Sequence, residues 1–224
     1  MQYTFDWFVL WRYRESLWNG LVMTVELSLV ALAAAILIGI IFGTMNSSKN
    51  RALRALAVSY VEVCRNIPLL VHILFWYVGL ASLRIPNFWC GVVGLAMHSG
   101  AYIAEIVRSG IQSVPAGQAE AALSTGLTRT QVMIYVIYPQ ALRMVLPSLA
   151  GMFSQLIKDS SLASVIAVAE LTFQAGKIEG ETFRSFEAYL GISVLYLLFI
   201  TTITQSIQLG FSNRQQNRTE TLTR

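Results

Sequence analysis

Long apolar stretches dominate this chain, and they constrain its fold more than any other feature. The first covers residues 21–45. A helix of roughly 20 apolar residues is long enough to cross the hydrocarbon core of a bilayer. Because backbone polar groups must be satisfied internally in lipid, such stretches are expected to be helical. We therefore predict an all-α integral membrane protein with five transmembrane helices, at residues 21–45, 53–80, 88–107, 142–165 and 189–211.

The composition supports a membrane protein with little soluble structure. Charged residues make up 12% and apolar residues 55% of the 224 positions, whereas soluble domains carry about a quarter charged residues. The net charge of +4 is not concentrated in Lys/Arg runs, so nucleic-acid binding is not indicated. Cys64 and Cys90 fall within predicted spans and are interpreted as small apolar fillers. His72 and His98 have no metal-site spacing, so no metal site is predicted.

The segments outside the spans suggest one transmembrane domain, residues 1–224. Residues 1–19 are rich in aromatic side chains with a few charges, which is typical of an amphipathic helix at the membrane interface. Residues 20–211 form the predicted five-span core, in which Pro68 interrupts the second span. Residues 212–224 are predicted to be a polar cytoplasmic tail.

Lysine and arginine are unevenly divided between the two sides of these spans, which predicts the orientation. Nine lie on one side and five on the other. The richer side is cytoplasmic by the positive-inside rule, so we predict an external N-terminus and an internal C-terminus. The predicted inner residues are Lys49, Arg51, Arg54, Arg108, Arg129, Arg143, Arg214, Arg218 and Arg224, and the outer ones are Arg12, Arg14, Arg84, Lys177 and Arg184.

The stretch AEAALSTG at residues 119–126 lies on the predicted cytoplasmic side, between the third and fourth spans. Glu120, Ala121 and Ala122 favour helix, and Gly126 suits a left-handed helix end. A second helix is predicted from Arg129 until Pro139. Two short helices joined at a glycine would make a narrow knob that fits a groove on another protein. A simple helical connector between two spans is the alternative.

This stretch resembles the EAA loop of the membrane-spanning subunits of bacterial ABC importers. In that motif Glu-Ala-Ala is followed at fixed spacing by glycine, an apolar residue and Leu-Pro. Val136 and Tyr138 stand where isoleucine and leucine are usual in the family, and both are apolar. The matching residues are Glu120, Ala121, Ala122, Gly126, Val136 and Pro139.

Three further stretches are similar to the histidine, glutamine and glutamate-type branch of these importers, which takes up polar amino acids. They are RNIPLLV (65–71), GAYIAEIVRSGIQSVPAGQ (100–118) and KDSSLASVI (158–166). Together with the EAA loop, the resemblance covers about residues 20–211. Four ordered stretches are much more specific than the short motif alone.

The resemblance implies the type I ABC importer permease fold in the bacterial cytoplasmic membrane. It implies that Glu120, Ala121, Ala122 and Gly126 belong to a coupling helix, through which ATPase subunits drive alternating access for a polar amino acid. The implied partners are two ATPase subunits, a second permease chain (identical or paralogous) and an extracytoplasmic amino-acid-binding protein. The chain has no G-x-x-x-x-G-K-[ST] motif, so we expect the partner ATPase to bind ATP and Mg²⁺. The chain itself is expected to bind no cofactor and to be no enzyme.

Ionisable side chains inside a membrane usually face a cavity or a partner, and two groups of them occur in the spans. Arg65 or Lys158 is predicted to bind a substrate carboxylate, and Asp159 or Glu62 the ammonium group. The alternative is that the pairs Glu62–Arg65 and Lys158–Asp159 only neutralise each other or bridge helices. The predicted pathway residues are Glu62, Arg65, Lys158, Asp159, Ser160 and Ser161.

Two other classes of protein were weighed against the importer subunit. A stand-alone secondary transporter or channel subunit is the main alternative, although such folds usually show paired inverted halves and no convincing internal repeat is visible. An intramembrane enzyme would need a catalytic set in its spans. Neither an HExxH motif nor paired intramembrane aspartates is present.

Overall fold

The computed structural model describes the backbone of residues 4–222 and the side chains of residues 4–206. All regular secondary structure within these residues is helical. Short 3₁₀ helices follow α4 (Ala81–Leu83) and α8 (Ser160–Ile166), and a π-helical turn (Met133–Ile137) precedes α8. The α-helices are α1 (Phe8–Arg12), α2 (Arg14–Asn46), α3 (Arg51–Asn66), α4 (Leu69–Leu80), α5 (Asn87–Ser113), α6 (Ala116–Ser124), α7 (Arg129–Val132), α8 (Tyr138–Asp159), α9 (Leu171–Thr182) and α10 (Ser185–Leu222).

The apolar helices agree with the five predicted spans. Four are long and apolar enough to cross a membrane by themselves, and the bent pair α3–α4 makes a fifth if it is one broken span. The break lies where Pro68 predicted it: α3 ends at Asn66, and Ile67 has an extended backbone (φ −92°, ψ 129°), as expected before a proline. The four single candidates are Arg14–Asn46, Asn87–Ser113, Arg129–Ile166 and Ser185–Ser206.

The N-terminal segment differs from the single helix predicted for residues 1–19. The helix α1 ends at Arg12, and from Arg14 onwards the chain already belongs to the first span. Residues 1–3 lie outside the described part. Long-range hydrogen bonds lie on either side of α1: the amide of Asp6 donates to Glu187 at 2.8 Å, and the hydroxyl of Tyr13 donates to Glu181 at 2.7 Å.

Helix does not stop at Pro139, contrary to the sequence prediction. The π-helical turn Met133–Ile137 leads directly into α8, with Pro139 at its second position. Proline lacks an amide proton and its ring collides with the carbonyl one α-helical turn earlier. The wider π-helical turn just before it provides a break in the ordinary ladder. The amide side chain of Gln140 donates to the carbonyl of Val136 at 2.9 Å.

At the C-terminal end, the helix of the fifth span continues beyond the predicted limit at residue 211. The backbone of α10 is helical to Leu222, so residues 212–222 of the predicted polar tail extend this helix. The last two residues of that tail lie outside the described residues.

The described chain divides into two compact units, and the prediction of one domain stays a prediction. Unit 1 is drawn from residues 1–31, 69–95 and 153–224, and unit 2 from residues 32–68 and 96–152. The helices α2, α5 and α8 each contribute to both units.

Close helix contacts at glycine hold unit 2 together. A Cβ at Gly43 of α2 would lie 2.6 Å from the carbonyl oxygen of Ala104 in α5, and one at Gly39 would lie 2.3 Å from a methyl of Ile103. Around these contacts Ala35, Ile103 and Val107 form a buried apolar cluster. Small residues therefore bring α2 and α5 together, as is common between membrane helices.

Unit 1 contains a buried helix where the sequence suggested only a polar segment, residues 169–187. Leu171, Ala175 and Ile178 of α9 are fully buried in an apolar cluster with α1, α2 and α10. The carboxylate of Glu170, also fully buried, caps α9 by accepting hydrogen bonds from the amides of Thr172 (2.9 Å) and Phe173 (2.8 Å). Polar residues are thus used here to begin a packed helix.

Glu170 should make the stability of this region depend on pH. Burial raises the pKa of its carboxyl, although hydrogen bonds from Thr172, Tyr196 and Phe173 act in the opposite direction. Because the folded state then holds the proton more tightly than the unfolded one, the stabilising contribution is complete below the unfolded pKa of about 4.3 and is lost as pH rises through the folded pKa. We expect the wild type to lose melting temperature relative to Glu170→Gln as the pH is raised from about 4 to about 8.

Glu179 provides a control of opposite sign on the same helix. Hydrogen bonds from Ser185 (2.7 Å) and Tyr189 (2.9 Å) lower the pKa of its carboxyl. Its stabilising contribution is present above the unfolded pKa and is lost as pH falls through the folded pKa. Relative to Glu179→Gln, the wild type should therefore gain melting temperature over the same rise in pH. A pH-independent difference for Glu170→Gln would contradict the assignment.

Candidate functional site

The stretch AEAALSTG folds as the predicted short helix with a glycine end. The helix α6 begins after Pro115 and ends at Ser124, and Gly126 has a left-handed backbone with φ +87°. The amide of Gly126 donates to the carbonyl of Leu123 at 3.0 Å, and the hydroxyl of Thr125 donates to the carbonyl of Ala122 at 2.8 Å. These bonds satisfy carbonyl groups that a helix end leaves without partners.

A capping box starts the second helix immediately after this turn. The hydroxyl of Thr128 accepts from the amide of Gln131 at 3.3 Å, and the side chain of Gln131 accepts from the amide of Thr128 at 2.9 Å. Both ends of the turn are therefore fixed by local hydrogen bonds. We call residues 116–137, which comprise α6, the turn, α7 and the π-helical turn, the knob.

A small apolar cluster joins the knob to the ends of α5 and α8. It contains Val114 just after α5, Ala122 from α6, Val132 from α7, and Ile137 and Ala141 at the junction with α8, and Ile111 of α5 packs against it. All five members of the cluster are buried. Because one cluster includes residues from each of these elements, the knob and the adjoining ends of the two spans should move together.

The three residues of the EAA motif have different environments. Ala122 is only 9% exposed and faces the cluster, whereas Glu120 and Ala121 are exposed. Leu123, with 43% of its surface exposed, lies beside them. Ala122 therefore supports the knob, and the outer surface of α6 is formed by Glu120, Ala121 and Leu123.

Above the knob, α5 and α8 pack closely and border a polar cavity. A Cβ at Gly110 would lie 2.3 Å from a methyl of Val145. The cavity, of about 340 Å³, is lined by serines 109, 113 and 148 and by Glu105 and Arg108. Arg108 forms an ion pair with Glu105, and its Nε lies 3.1 and 3.0 Å from the two carboxylate oxygens. The parts of α5 and α8 nearest the knob thus carry hydrophilic groups along a common cavity.

In unit 2, Arg65 contacts an aromatic ring and not Glu62. Its guanidinium carbon lies 5.1 Å from the ring centroid of Tyr102, which in turn lies 5.2 Å from the ring of His98. Glu62 accepts a hydrogen bond from the side chain of Asn66 at 3.2 Å. A cation over an aromatic face is attracted electrostatically but keeps its charge. Tyr102 was not identified from sequence, because nothing in the sequence spacing connects it with Arg65.

In unit 1, the other predicted pathway residues lie at the C-terminal end of α8 and in the 3₁₀ helix that follows it. Asp159 accepts a hydrogen bond from the side chain of Gln155 at 2.9 Å. The hydroxyls of Ser160 and Ser161 donate to the carbonyls of Ile157 and Lys158, at 2.8 and 2.7 Å. The serines therefore cap the helix end.

Neither predicted pair of opposite charges is in close contact, and the choice between substrate binding and mutual neutralisation stays a prediction. In the described residues, Glu62 and Arg65 are not within ion-pair distance of each other, and the same holds for Lys158 and Asp159. The side chain of Lys158 is exposed. Among the described histidine, cysteine and acidic residues, none are grouped so as to hold a metal ion.

A match to a known family places this arrangement in context. The family described as "Binding-protein-dependent transport system inner membrane component" matches residues 35–216. The chain belongs to this family. The match includes the knob and every predicted pathway residue.

Individual relatives of this inner membrane component agree with the assignment. The chain is 38% identical to the probable glutamine ABC transporter permease protein GlnM of Bacillus subtilis (strain 168), over 88% of this chain and 91% of the relative. It is 37% identical to the glutamine transport system permease protein GlnP of Escherichia coli (strain K12), over 89% and 93% of the two chains.

Two solved structures resemble the permease fold. One is the crystal structure of an amino acid ABC transporter with histidines, whose matching chain is 39% identical in sequence to this one. The TM-score is 0.86 over 94% of this chain and 100% of that chain. An inward-facing MetNI methionine ABC transporter has a TM-score of 0.80 over 90% and 97% of the chains. At 18% identity, this second likeness concerns the fold alone.

These matches confirm the sequence prediction of an ABC importer permease subunit with the type I permease fold. The permease is a multi-pass protein of the cytoplasmic membrane, a transport subunit and not itself an enzyme. The alternative of a stand-alone carrier or channel is not favoured. The apolar positions of the motif are also accounted for, because Val136 packs against the knob cluster in the place of the usual isoleucine.

Proposed function

We propose that this permease lines the route of a polar amino acid of the glutamine and glutamate class. It would work with two cytoplasmic ATPase subunits, a second permease chain (identical or paralogous) and an extracytoplasmic amino-acid-binding protein. Its relatives named above are glutamine permeases. The binding protein would deliver the amino acid, and ATP with Mg²⁺ would bind only to the ATPase.

The observation that carries this proposal is the knob on its apolar base. It exposes Glu120, Ala121 and Leu123 while Ala122 is buried in the cluster shared with α5 and α8. An ATPase that grips the exposed surface would move the ends of both spans. The knob would thereby convert closure of the ATPase pair into a change between outward-open and inward-open states. The predicted cytoplasmic position of the knob fits this role.

Uptake into proteoliposomes tests the proposal. The permease should be purified with the subunits that bind it, reconstituted, and supplied with its binding protein and radiolabelled L-glutamine or L-glutamate. We expect uptake that requires internal ATP and Mg²⁺ and is unaffected by collapse of ion gradients. Accumulation by the permease alone, without any ATPase subunit, would contradict the proposal.

Each unit by itself would supply charges of both signs for a zwitterionic solute, with Glu62 and Arg65 in unit 2 and Lys158 and Asp159 in unit 1. Among the described residues, the guanidinium of Arg65 and the ammonium of Lys158 do not form a close ion pair with a carboxylate. Either cation suits an α-carboxylate, and Asp159 or Glu62 suits an ammonium group. Ser160 and Ser161 would fix the backbone next to Lys158, since their hydroxyls bond to the helix end.

Removing these charges should impair transport without preventing assembly. We expect Arg65→Met and Lys158→Met each to lower L-glutamine uptake by about tenfold or more, the effect of losing one charge-assisted hydrogen bond. Matched controls are Arg51→Met, an exposed residue at the start of α3, and Lys177→Met, whose ammonium lies 4.0 Å from Glu181. Normal uptake by both test variants would remove these residues from the proposed route.

A further inference from the structure

Tyr138 is the point at which this chain departs from the usual Leu-Pro of its family motif, and the structure gives its hydroxyl a partner. The hydroxyl of Tyr138 lies at hydrogen-bond distance from the hydroxyl of Thr44, near the C-terminal end of α2. Thr44 donates its own proton to the carbonyl of Ile40 at 2.7 Å. Since a threonine hydroxyl has one proton, Tyr138 must be the donor and Thr44 Oγ1 the acceptor. A leucine could not form this bond.

The surroundings of this bond are apolar and loosely filled. A cavity of about 500 Å³ separates parts of α2, α5 and α8, and Tyr138 and Pro139 form part of its wall. The remaining wall is apolar and includes Ile36 and Ile40 of α2 and Leu142 of α8. Breaking this partly buried hydrogen bond would cost free energy, because the hydroxyl of Tyr138 would lose its acceptor beside an apolar wall.

Different contacts join the three helices in this unit. Helix α2 packs tightly on α5 at Gly39 and Gly43, and α8 packs tightly on α5 at Gly110. Between α2 and α8, along the cavity, the Tyr138–Thr44 bond is a direct polar connection. Tyr138 directly follows Ile137, the last residue of the π-helical turn, whose side chain lies in the knob cluster.

We infer that Tyr138 is a positioning residue that ties the knob to the first span through Thr44. A force applied to the knob reaches α5 and α8 through the apolar cluster, and it reaches α2 through this hydrogen bond. Through this bond, α2 moves together with α5 and α8 during each transport cycle. This inference rests on the proposed function, in which an ATPase moves the knob.

Removing either hydroxyl should reduce the efficiency of coupling. In the reconstituted transporter, Tyr138→Phe and Thr44→Val are each expected to lower the amount of L-glutamine taken up per ATP hydrolysed by about threefold to tenfold, which is the range for one lost neutral hydrogen bond. The rate of ATP hydrolysis should stay close to that of the wild type. The double variant should be no worse than the single variants, because both remove the same bond.

Matched controls separate this bond from general effects of the substitutions. Tyr77→Phe removes a tyrosine hydroxyl from α4, where the structure shows no hydrogen bond to it among the described residues. Thr202→Val removes a hydroxyl that donates to the carbonyl of Leu198 at 2.7 Å, as Thr44 does to Ile40, and that has no tyrosine partner among the side chains the structure describes. Both controls should take up as much L-glutamine per ATP hydrolysed as the wild type. Thr44→Ser keeps the hydroxyl and should also match the wild type.

Each result decides the inference. The inference would be overturned if Tyr138→Phe took up as much L-glutamine per ATP as the wild type. It would also be overturned if the losses in the two single variants multiplied in the double variant. If Tyr138→Phe does not assemble, the comparison of Thr44→Val with Thr44→Ser decides, and equal ratios in those two variants would overturn it. If the wild type accumulates L-glutamine without ATP, the proposed function fails; ATP-driven wild-type uptake with unaffected variants removes only the role of Tyr138.

Discussion

Valine in place of Gly126 is expected to lower ATP-driven uptake at least tenfold while the chain still inserts and assembles. Gly126 has φ +87°, a conformation that costs an ordinary residue about 1–2 kcal/mol and a β-branched one more. A Cβ at this position meets no atom within 4 Å, so the strain comes from the backbone alone. Relief of that strain would change the angle between α6 and α7, and with it the surface offered to the ATPase.

Asparagine at the same position is the matched control, because it tolerates the left-handed conformation better than other non-glycine residues. Gly126→Asn should keep most of the uptake, measured as radiolabelled L-glutamine per reconstituted complex. ATP hydrolysis and copurification of the ATPase should be recorded for both variants. Equal loss in the two variants would show that the side chain, and not the backbone conformation, matters at the turn.

Alanine in place of Gly43 is expected to destabilise the permease strongly. The added methyl would lie 2.6 Å from the carbonyl oxygen of Ala104 and 2.7 Å from Cβ of Val107. Backbone atoms cannot move aside as a flexible side chain can, so α2 and α5 must separate. Overpacking of this kind costs about 1–3 kcal/mol, and Gly43→Val should cost more. We expect a lower melting temperature in detergent and less permease in the membrane.

Gly79 and Gly151 serve as controls for the same substitution within helices. A Cβ at either position meets nothing within 4 Å. Alanine favours helix over glycine by about 0.5–1 kcal/mol, so Gly79→Ala and Gly151→Ala should be neutral or slightly stabilising. If Gly43→Ala has the same melting temperature as these two controls, the close approach of α2 to α5 is not what holds unit 2 together.

The local features of the fold could be predicted from the sequence because each depends on neighbouring residues. The lengths of the spans follow from apolar stretches. The break at Pro68 follows from the missing amide proton, and the turn at Gly126 from the freedom of glycine. In contrast, Gly43, Gly79 and Gly151 all occur in apolar helices, and only the folded structure shows that Gly43 closely approaches a neighbouring backbone.

Contacts between distant residues were outside the reach of the sequence. Spacing along a helix connected Arg65 with Glu62, yet in the structure its guanidinium lies over Tyr102. The polar residues 169–187 gave no apolar signal for a core helix, but Glu170 and Glu187 are fully buried there. Glu170 is satisfied by helix amides, and Glu187 accepts from the amide of Asp6. Such burial depends on partners that the fold supplies from far along the chain.

The way the two compact units share the chain has a consequence for biosynthesis. Unit 2 uses no residue after 152, whereas unit 1 needs both the beginning of the chain and the stretch from residue 153 onwards. During translation every segment of unit 2 is therefore synthesised before the last segment of unit 1, which begins at residue 153. Because domains of a nascent chain can fold during synthesis, unit 2 should pack before unit 1 is complete. A stalled chain should then expose the first span to membrane-protein quality control.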